Sequence, residues 1–176
     1  MAGRALTATL PLDFVRGPKP RTGIGDVELG VKYRFFADEK AGVQVSIFPR
    51  VILPNSGRTY GSGRTGMLLP VWGQKDIGKW SLFGGGGYAI NPGAGNRGYW
   101  QTGVAPTRAV SDRLSVGAEA TYHGRDVDDA TPVATLGIGG IWKIRGPFSL
   151  LASAGPSFAG RHGERYHGYL ALGLNF

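Results

Sequence analysis

Cysteine is absent from all 176 residues of the sequence. Its absence excludes a disulfide framework, a thiolate metal site and a cysteine nucleophile. The sequence also lacks an apolar run of about 18 residues, the length that a membrane-spanning helix requires. Residues 1–12 lack the apolar core of a secretory signal. The sequence therefore gives no indication of a helical membrane protein or of a disulfide-stabilised scaffold.

Glycine, proline and aromatic residues are abundant instead. The chain has 31 Gly and 11 Pro, a share close to that of low-complexity sequence. Disordered chains are poor in aromatic residues, however, whereas 11% of this chain is aromatic and 41% is hydrophobic. The composition therefore indicates a folded protein with many short strands joined by tight turns.

Hydrophobic and polar residues alternate with a period of two. In an extended chain Val27, Leu29 and Val31 face one way, whereas Glu28 and Lys32 face the other. A helix would spread both sets around its circumference, so the pattern predicts β-strands. We expect one all-β domain over residues 1–176 with about ten strands, at 5–14, 24–36, 41–53, 65–74, 79–90, 97–107, 113–123, 133–144, 147–158 and 166–176.

The connections between these strands alternate in length. Long polar links are expected near 15–23, 54–64, 91–96, 124–132 and 159–165. Short turns are expected near 37–40, 75–78, 108–112 and 145–146. In an antiparallel sheet this alternation places all the long links at one end, as in outer-membrane barrels.

Strand length and charge placement predict an antiparallel, up-and-down transmembrane β-barrel. Most of the predicted strands reach the about 9–11 residues that a tilted membrane strand needs, whereas soluble strands centre on about 5–6. If Lys32 and Arg34 faced lipid, each would cost roughly 2–4 kcal/mol at the midplane. We therefore expect the apolar face to contact lipid and the charged face to line a wet interior. A soluble lipocalin-like barrel would reverse the two faces.

The predicted interior carries charges of both signs. Opposite charges could close it with salt bridges, or they could border a narrow aqueous path, since a barrel of about ten strands is narrow. The lumen-lining residues expected from the pattern are Asp26, Glu28, Lys32, Arg34, Gln44, Arg50, Glu119, His123 and Lys143.

Basic residues are frequent in and beside the long links. Guanidinium groups pair bidentately with phosphate, so we expect these side chains to contact lipopolysaccharide. Solvation of the loops alone is the alternative, and nucleic-acid binding would require exposed stacking aromatics, which the loops lack apart from Tyr60. The basic set comprises Arg16, Lys19, Arg21, Arg58, Arg64, Arg97, Arg125, Arg161 and Arg165.

Two segments resemble ligand-binding motifs but lack residues that those motifs require. The glycine run 84–87 is followed by a strand rather than the helix of a phosphate-binding loop. Asp126, Asp128 and Asp129 begin like a calcium loop, but Thr131 and Gly137 replace its required Gly and Glu. We expect no cofactor and no resident metal, although a loose divalent-cation site bridging lipopolysaccharide stays open at the aspartates.

Catalysis is the least favoured use of the polar residues. His123, His162 or His167 could act as a base, with Asp126 or Glu164 orienting it, as in outer-membrane lipid hydrolases. No serine or aspartate has a spacing that singles it out as the partner. We therefore expect that the protein is not an enzyme.

Two parts of the chain resemble known outer-membrane proteins. Residues 169–176, with alternating apolar side chains and a terminal Phe, resemble the C-terminal signal for outer-membrane insertion. More broadly, the chain resembles a family of outer-membrane proteins assigned to transport in the meta-cleavage pathway of phenol degradation. The stretches that carry the second resemblance are 23–35, 52–54, 80–88 and 114–119.

The resemblances imply a location and partners. They imply a Gram-negative outer membrane, recognition of the C-terminal strand by the barrel-assembly machinery, and uptake of small hydrophobic compounds. Two arrangements are compatible with the sequence: a closed barrel of ten strands, or a part of a larger barrel. Passive, porin-like passage of small hydrophobic or aromatic solutes is the favoured function. The alternatives are a structural or lipopolysaccharide-interacting barrel with a plugged interior, and an outer-membrane lipid hydrolase.

Overall fold

The computed structural model describes residues 3–10, 12–15, 21–55, 63–160 and 164–174. Within these ranges no helix is long and apolar enough to span a membrane. The strands are β1 (Gly3–Thr9), β2 (Leu12–Val15), β3 (Arg21–Ile24), β4 (Val27–Asp38), β5 (Val43–Ile47), β6 (Arg50–Leu53), β7 (Gly66–Ile77), β8 (Trp80–Ile90), β9 (Tyr99–Ala109), β10 (Leu114–His123), β11 (Val133–Arg145), β12 (Phe148–Ala159) and β13 (Glu164–Leu174).

The strands form one large antiparallel sheet in chain order. The sheet runs β1, β4, β5, β7, β8, β9, β10, β11, β12 and β13, and β6 also pairs with β4 and β7. Strands β2 and β3 pair with each other in a small separate sheet. The predicted all-β, antiparallel architecture is confirmed.

The strand count differs from the expected ten, because two predicted strands are each divided in two and one further strand, β3, lies almost wholly in a predicted link. The predicted strand 41–53 becomes β5 and β6, with Phe48 and Pro49 between them. Pro49 has no N–H to donate to a ladder, although its carbonyl accepts from the Val31 N–H at 3.1 Å. The predicted strand 5–14 divides similarly into β1 and β2, and the predicted strand 24–36 corresponds to β4. The predicted long link 15–23 is wrong in part, because residues 21–23 belong to β3, which pairs with β2.

The described part of the sheet has two edges, β1 and β13. Strand β1 pairs with β4 and β13 pairs with β12, and no pairing joins β1 to β13 among the described residues. Closure of the sheet into a barrel is therefore not part of the observed pairing.

One face of the sheet carries aliphatic side chains that no part of the described chain covers. Leu29 is 46% exposed and Leu172 is 61% exposed, although burial of such side chains stabilises a soluble protein by about 1.5–3 kcal/mol each. Fully buried apolar side chains are few among the described residues: Leu68, Pro70 and Ala89. The apolar face therefore points outward, as the sequence predicts.

Aromatic side chains form two rows on this outward face. Tyr88, Trp100 and Tyr122 are exposed near the long links, and the rings of Tyr88 and Trp100 meet edge to face at 5.3 Å. Trp80 and Trp142 are exposed near the short turns. Tyr88 lies eight residues after Trp80 on β8, which at about 3.3 Å per residue separates the rows by about 26 Å along the strand.

The connections keep long and short links at opposite ends. Short turns follow β4, β7, β9 and β11, whereas the links after β6, β8 and β10 span 54–65, 91–98 and 124–132. Two long links contact each other: the Arg97 N–H donates to the Asp126 carbonyl at 2.8 Å, and the Asp128 N–H donates to the Gly95 carbonyl at 2.9 Å. These backbone bonds extend the sheet beyond β9 and β10 at the long-link end.

Candidate functional site

The polar face of the sheet is concave. Glu119 Oε1 lies 3.9 Å from His167 Nε2, although β11 and β12 separate their strands, β10 and β13. Across two intervening strands a flat sheet would place these residues about 14 Å apart. Their side chains can meet only where the sheet curves strongly toward this face.

The structure places eight of the nine predicted lumen residues in strands and on this concave face. Asp26 is the ninth, and it lies between β3 and β4, where its Oδ1 accepts from the Asn55 N–H at 3.1 Å. The eight are Glu28, Lys32, Arg34, Gln44, Arg50, Glu119, His123 and Lys143. Whether they line a closed lumen depends on closure of the sheet.

Glu119 is the centre of a polar cluster on the concave face. It accepts a hydrogen bond of 2.6 Å from the Ser153 hydroxyl and interacts with the Tyr169 hydroxyl. His167 faces the same carboxylate, and its Nδ1 is buried with no hydrogen-bond partner among the described residues. We call Glu119, Ser153, His167 and Tyr169 the Glu119 cluster.

Glycines make this cluster possible. Gly137 lies between Glu119 and Ser153, and a Cβ there would lie 2.5 Å from Ser153 Oγ and 2.8 Å from Glu119 Oε1. Gly155 separates Gly137 from His167 in the next two strands. Without side chains at these two positions, groups from two other strands, β12 and β13, reach the Glu119 carboxylate.

A small cavity of about 100 Å³ adjoins the cluster. Its polar lining comes from Thr107, Glu119, Ser153 and Tyr169, and Ile141 and Leu151 supply apolar surface. A cavity of about 150 Å³ lined by apolar side chains is enough to bind benzene. At about 100 Å³ the cavity is smaller than that and can admit only part of a ring, with both polar and apolar groups in its lining.

A second cluster surrounds Arg50 near the long-link end. Arg50 Nη1 is 2.8 Å from Glu28 Oε2, and its guanidinium lies 5.1 Å from the centre of the Phe48 ring. The Arg50 Nε is buried with no hydrogen-bond partner among the described residues.

Aromatic side chains on the concave face were not anticipated from the sequence. Trp72 stacks on Phe83, with ring centres 5.1 Å apart and planes 12° apart. Tyr99 also lies on the concave face, where the centre of its ring is 4.3 Å from that of His123. A cavity of about 200 Å³ lies beside Trp72 and His123. Leu68, Trp72 and Gln74 alternate along β7 and could have identified its inward-facing side chains. Pro70, which also falls in this series, made the alternation hard to recognise.

The long-link arginines are only partly described. Arg97 is half-exposed and pairs with Asp128 at 3.4 Å, and Arg64 and Arg125 are exposed. Arg21 and Arg165 lie on β3 and β13. The remaining members of this predicted set lie outside the described residues: Arg16, Lys19, Arg58 and Arg161.

The two candidate catalytic histidines that the structure describes, His123 and His167, contact groups other than the expected carboxylate Asp126. His123 Nδ1 lies 2.9 Å from the Gly124 carbonyl, and Ser153 donates to a carboxylate rather than to a histidine. His162 lies outside the described residues. No cluster of three or more His, Cys, Asp or Glu suited to a metal ion occurs in the part of the chain that the structure describes.

Comparison with known proteins identifies a family. No curated protein matches the chain. The model of the family described as "Putative MetA-pathway of phenol degradation" matches residues 6–172. This match confirms the resemblance suggested by the strand motifs, and it covers nearly all of the sequence. The chain therefore belongs to that family.

Proposed function

We propose that the chain forms an outer-membrane β-barrel that gives passive passage to small hydroxylated aromatic compounds. The membrane location is supported by the outward aliphatic face and its two aromatic rows. The spacing of about 26 Å along tilted strands corresponds to about 20 Å across the membrane, near the about 25 Å apolar band of such barrels. Lipid would supply the apolar surroundings that the described chain does not.

The Glu119 cluster carries the proposal about the solute. Its carboxylate and the neighbouring Ser153 and Tyr169 hydroxyls can hydrogen-bond a phenolic hydroxyl, while Ile141 and Leu151 contact the ring. The Trp72–Phe83 stack offers a second aromatic surface on the concave face. Phenol degradation in the family description agrees with a solute of this class.

Two partners complete the proposal. Arg64, Arg97 and Arg125 would contact lipopolysaccharide phosphates at the long-link end. Strand β13 would be recognised by the barrel-assembly machinery, because its alternating apolar residues resemble the C-terminal insertion signal. No nucleic-acid partner, cofactor or enzymatic step is proposed.

Planar-bilayer recording tests passage and its selectivity together. We expect steady openings whose current falls in a saturable way when catechol is added. Glu119→Gln and Tyr169→Phe should raise the half-blocking concentration at least about fivefold, because each weakens a hydrogen bond to the bound hydroxyl. Asp112→Asn, which changes an exposed carboxylate in a short turn, is the matched control and should leave block unchanged.

The alternative functions give different results. Persistent electrical silence of inserted protein would favour a plugged structural barrel, for which the Glu28–Arg50 ion pair is the supporting observation. Openings with no catechol block would leave an unselective pore and contradict the proposed solute class. Lipid turnover lost on replacing His167 or Ser153 would instead favour a hydrolase.

A further inference from the structure

The short-turn end of the sheet carries basic residues that the sequence pattern did not single out. Four of them lie in or beside three consecutive short turns, between β7 and β8, β9 and β10, and β11 and β12. All four side chains are exposed, and Asp112 is the one carboxylate within these turns. We call the four the short-turn rim: Lys79, Arg108, Arg113 and Arg145.

The rim is not neutralised by the rest of the described chain. None of its four residues forms an ion pair with a described carboxylate; the ion pairs present involve Arg50, Arg97 and His167. The described carboxylates therefore leave the four cations of the rim without an ion pair.

The rim borders the lower aromatic row on the outward face. The Arg108 guanidinium lies 5.7 Å from the centre of the Trp80 ring. Arg145 pairs in register with the exposed Phe148, and the Arg113 carbonyl accepts from the Lys143 N–H at 2.8 Å, one residue beyond the exposed Trp142. Cations at the margin of an apolar, aromatic surface lie at the depth of lipid headgroups.

We propose that the short-turn rim binds the phosphate groups of anionic glycerophospholipids in the membrane leaflet at that end of the barrel. The inference rests on the membrane location in the proposed function, but not on the identity of the solute. The guanidiniums of Arg108, Arg113 and Arg145 suit phosphate because each presents several donors in a fixed plane. Adjacent strands lie about 4.8 Å apart, so the rim spans about 19 Å from β8 to β12 and can engage more than one headgroup.

Native mass spectrometry measures this preference directly. The full chain is purified in micelles with equal amounts of phosphatidylglycerol and phosphatidylcholine, and the bound lipids are counted. The triple variant Arg108→Gln/Arg113→Gln/Arg145→Gln should lower the ratio of bound phosphatidylglycerol to phosphatidylcholine at least about tenfold, since each basic residue contributes about fivefold near an anionic surface. The matched control is Asp112→Asn, which changes an exposed charge in the same turns without removing a cation and should not lower the ratio.

Two results would overturn the inference: an unchanged ratio in the rim variant, or an equal fall in both variants. If the rim variant fails to fold, the single variants Arg108→Gln and Arg113→Gln are compared, and high salt should lower the wild-type ratio. Insertion into planar bilayers is recorded with the same wild-type protein. Insertion without a phosphatidylglycerol preference defeats this inference alone, whereas failure to insert defeats the membrane location itself.

Discussion

Glu119 and Ser153 share a hydrogen bond of 2.6 Å although β11 lies between their strands. The bond crosses β11 where Gly137 leaves no side chain in the way. The bond is therefore evidence that the sheet curves toward its polar face. It also shows that the position where the bond crosses β11 requires glycine.

Gly137→Ala should break this bond. The added Cβ would lie 2.5 Å from Ser153 Oγ and 2.8 Å from Glu119 Oε1, so both side chains must move. We expect a loss of about 1–3 kcal/mol in the free energy of unfolding, together with weaker catechol block. Urea unfolding in lipid vesicles and bilayer recording measure the two effects.

Gly73→Ala is the matched control for this change. A Cβ at Gly73 would meet its nearest atoms at 3.8 Å, which is ordinary contact, and the position faces outward. Equal stability losses in the two variants would mean that the cost arises from glycine replacement in general. The bond across β11 would then not be the cause.

The faces of the sheet could be predicted from the sequence because they depend on local alternation alone. The pattern around Glu28 and Lys32 is unbroken, and the structure keeps these two residues on one face. The Trp72–Phe83 stack was missed because Pro70 and the glycine run 84–87 hide the alternation of β7 and β8. The contact between Glu119 and His167 depends on curvature across four strands, which no local pattern encodes.

The breaks within strands also escaped the pattern. Pro49 indicates a possible strand break, because proline cannot donate to a ladder. The alternation of Ser46, Phe48 and Arg50 continues through it, however, so the sequence predicts one strand. The break at Gly25 and Asp26, between β3 and β4, coincides with a contact to Asn55, whose side-chain amide donates to the Ile24 carbonyl at 2.9 Å. A contact between residues so far apart in the chain requires the folded sheet.

The four tryptophans should divide into two classes by quenching. Trp80, Trp100 and Trp142 are more than half exposed on the outward face, whereas Trp72 stacks on Phe83 on the concave face. In variants that keep a single tryptophan, brominated lipids should quench the three outward residues and leave Trp72 bright. An aqueous quencher should act on Trp72 instead. Quenching of Trp72 by brominated lipid would contradict the assignment of the two faces.

The Glu28–Arg50 ion pair should set the ion selectivity near the long-link end. Arg50→Gln leaves the Glu28 carboxylate uncompensated and should shift selectivity toward cations, because the remaining local charge is negative. Glu28→Gln should shift it toward anions. Reversal potentials in a KCl gradient measure both shifts, and the double variant should return close to wild type. Shifts of the same sign in both single variants would show that this pair does not border the conducting path.

The edge strands β1 and β13 supply the test of closure. Successive pairings along the sheet are antiparallel, so β1 and β13 also run in opposite directions and could pair. Thr7 and Thr9 share the concave face with Ala171. Because the chain has no native cysteine, any disulfide in a double-cysteine variant joins the two introduced residues. Two double variants test this pairing: Thr7→Cys/Ala171→Cys and Thr9→Cys/Ala171→Cys. They correspond to two registers of β1 against β13 that differ by two residues. If the sheet closes, one of them should form an intramolecular disulfide in the membrane.

Gel mobility before and after reduction distinguishes the arrangements. A crosslinked monomer supports closure within one chain, and Ala8→Cys/Ala171→Cys should not crosslink, since Ala8 faces outward. Disulfide-linked dimers would mean that the edges of two chains meet instead, with the interior shared between copies. A free monomer in both inward pairs would contradict pairing of β1 with β13. In that case the conducting path would need further strands, because an open edge exposes unpaired backbone groups that cannot lie in lipid without partners.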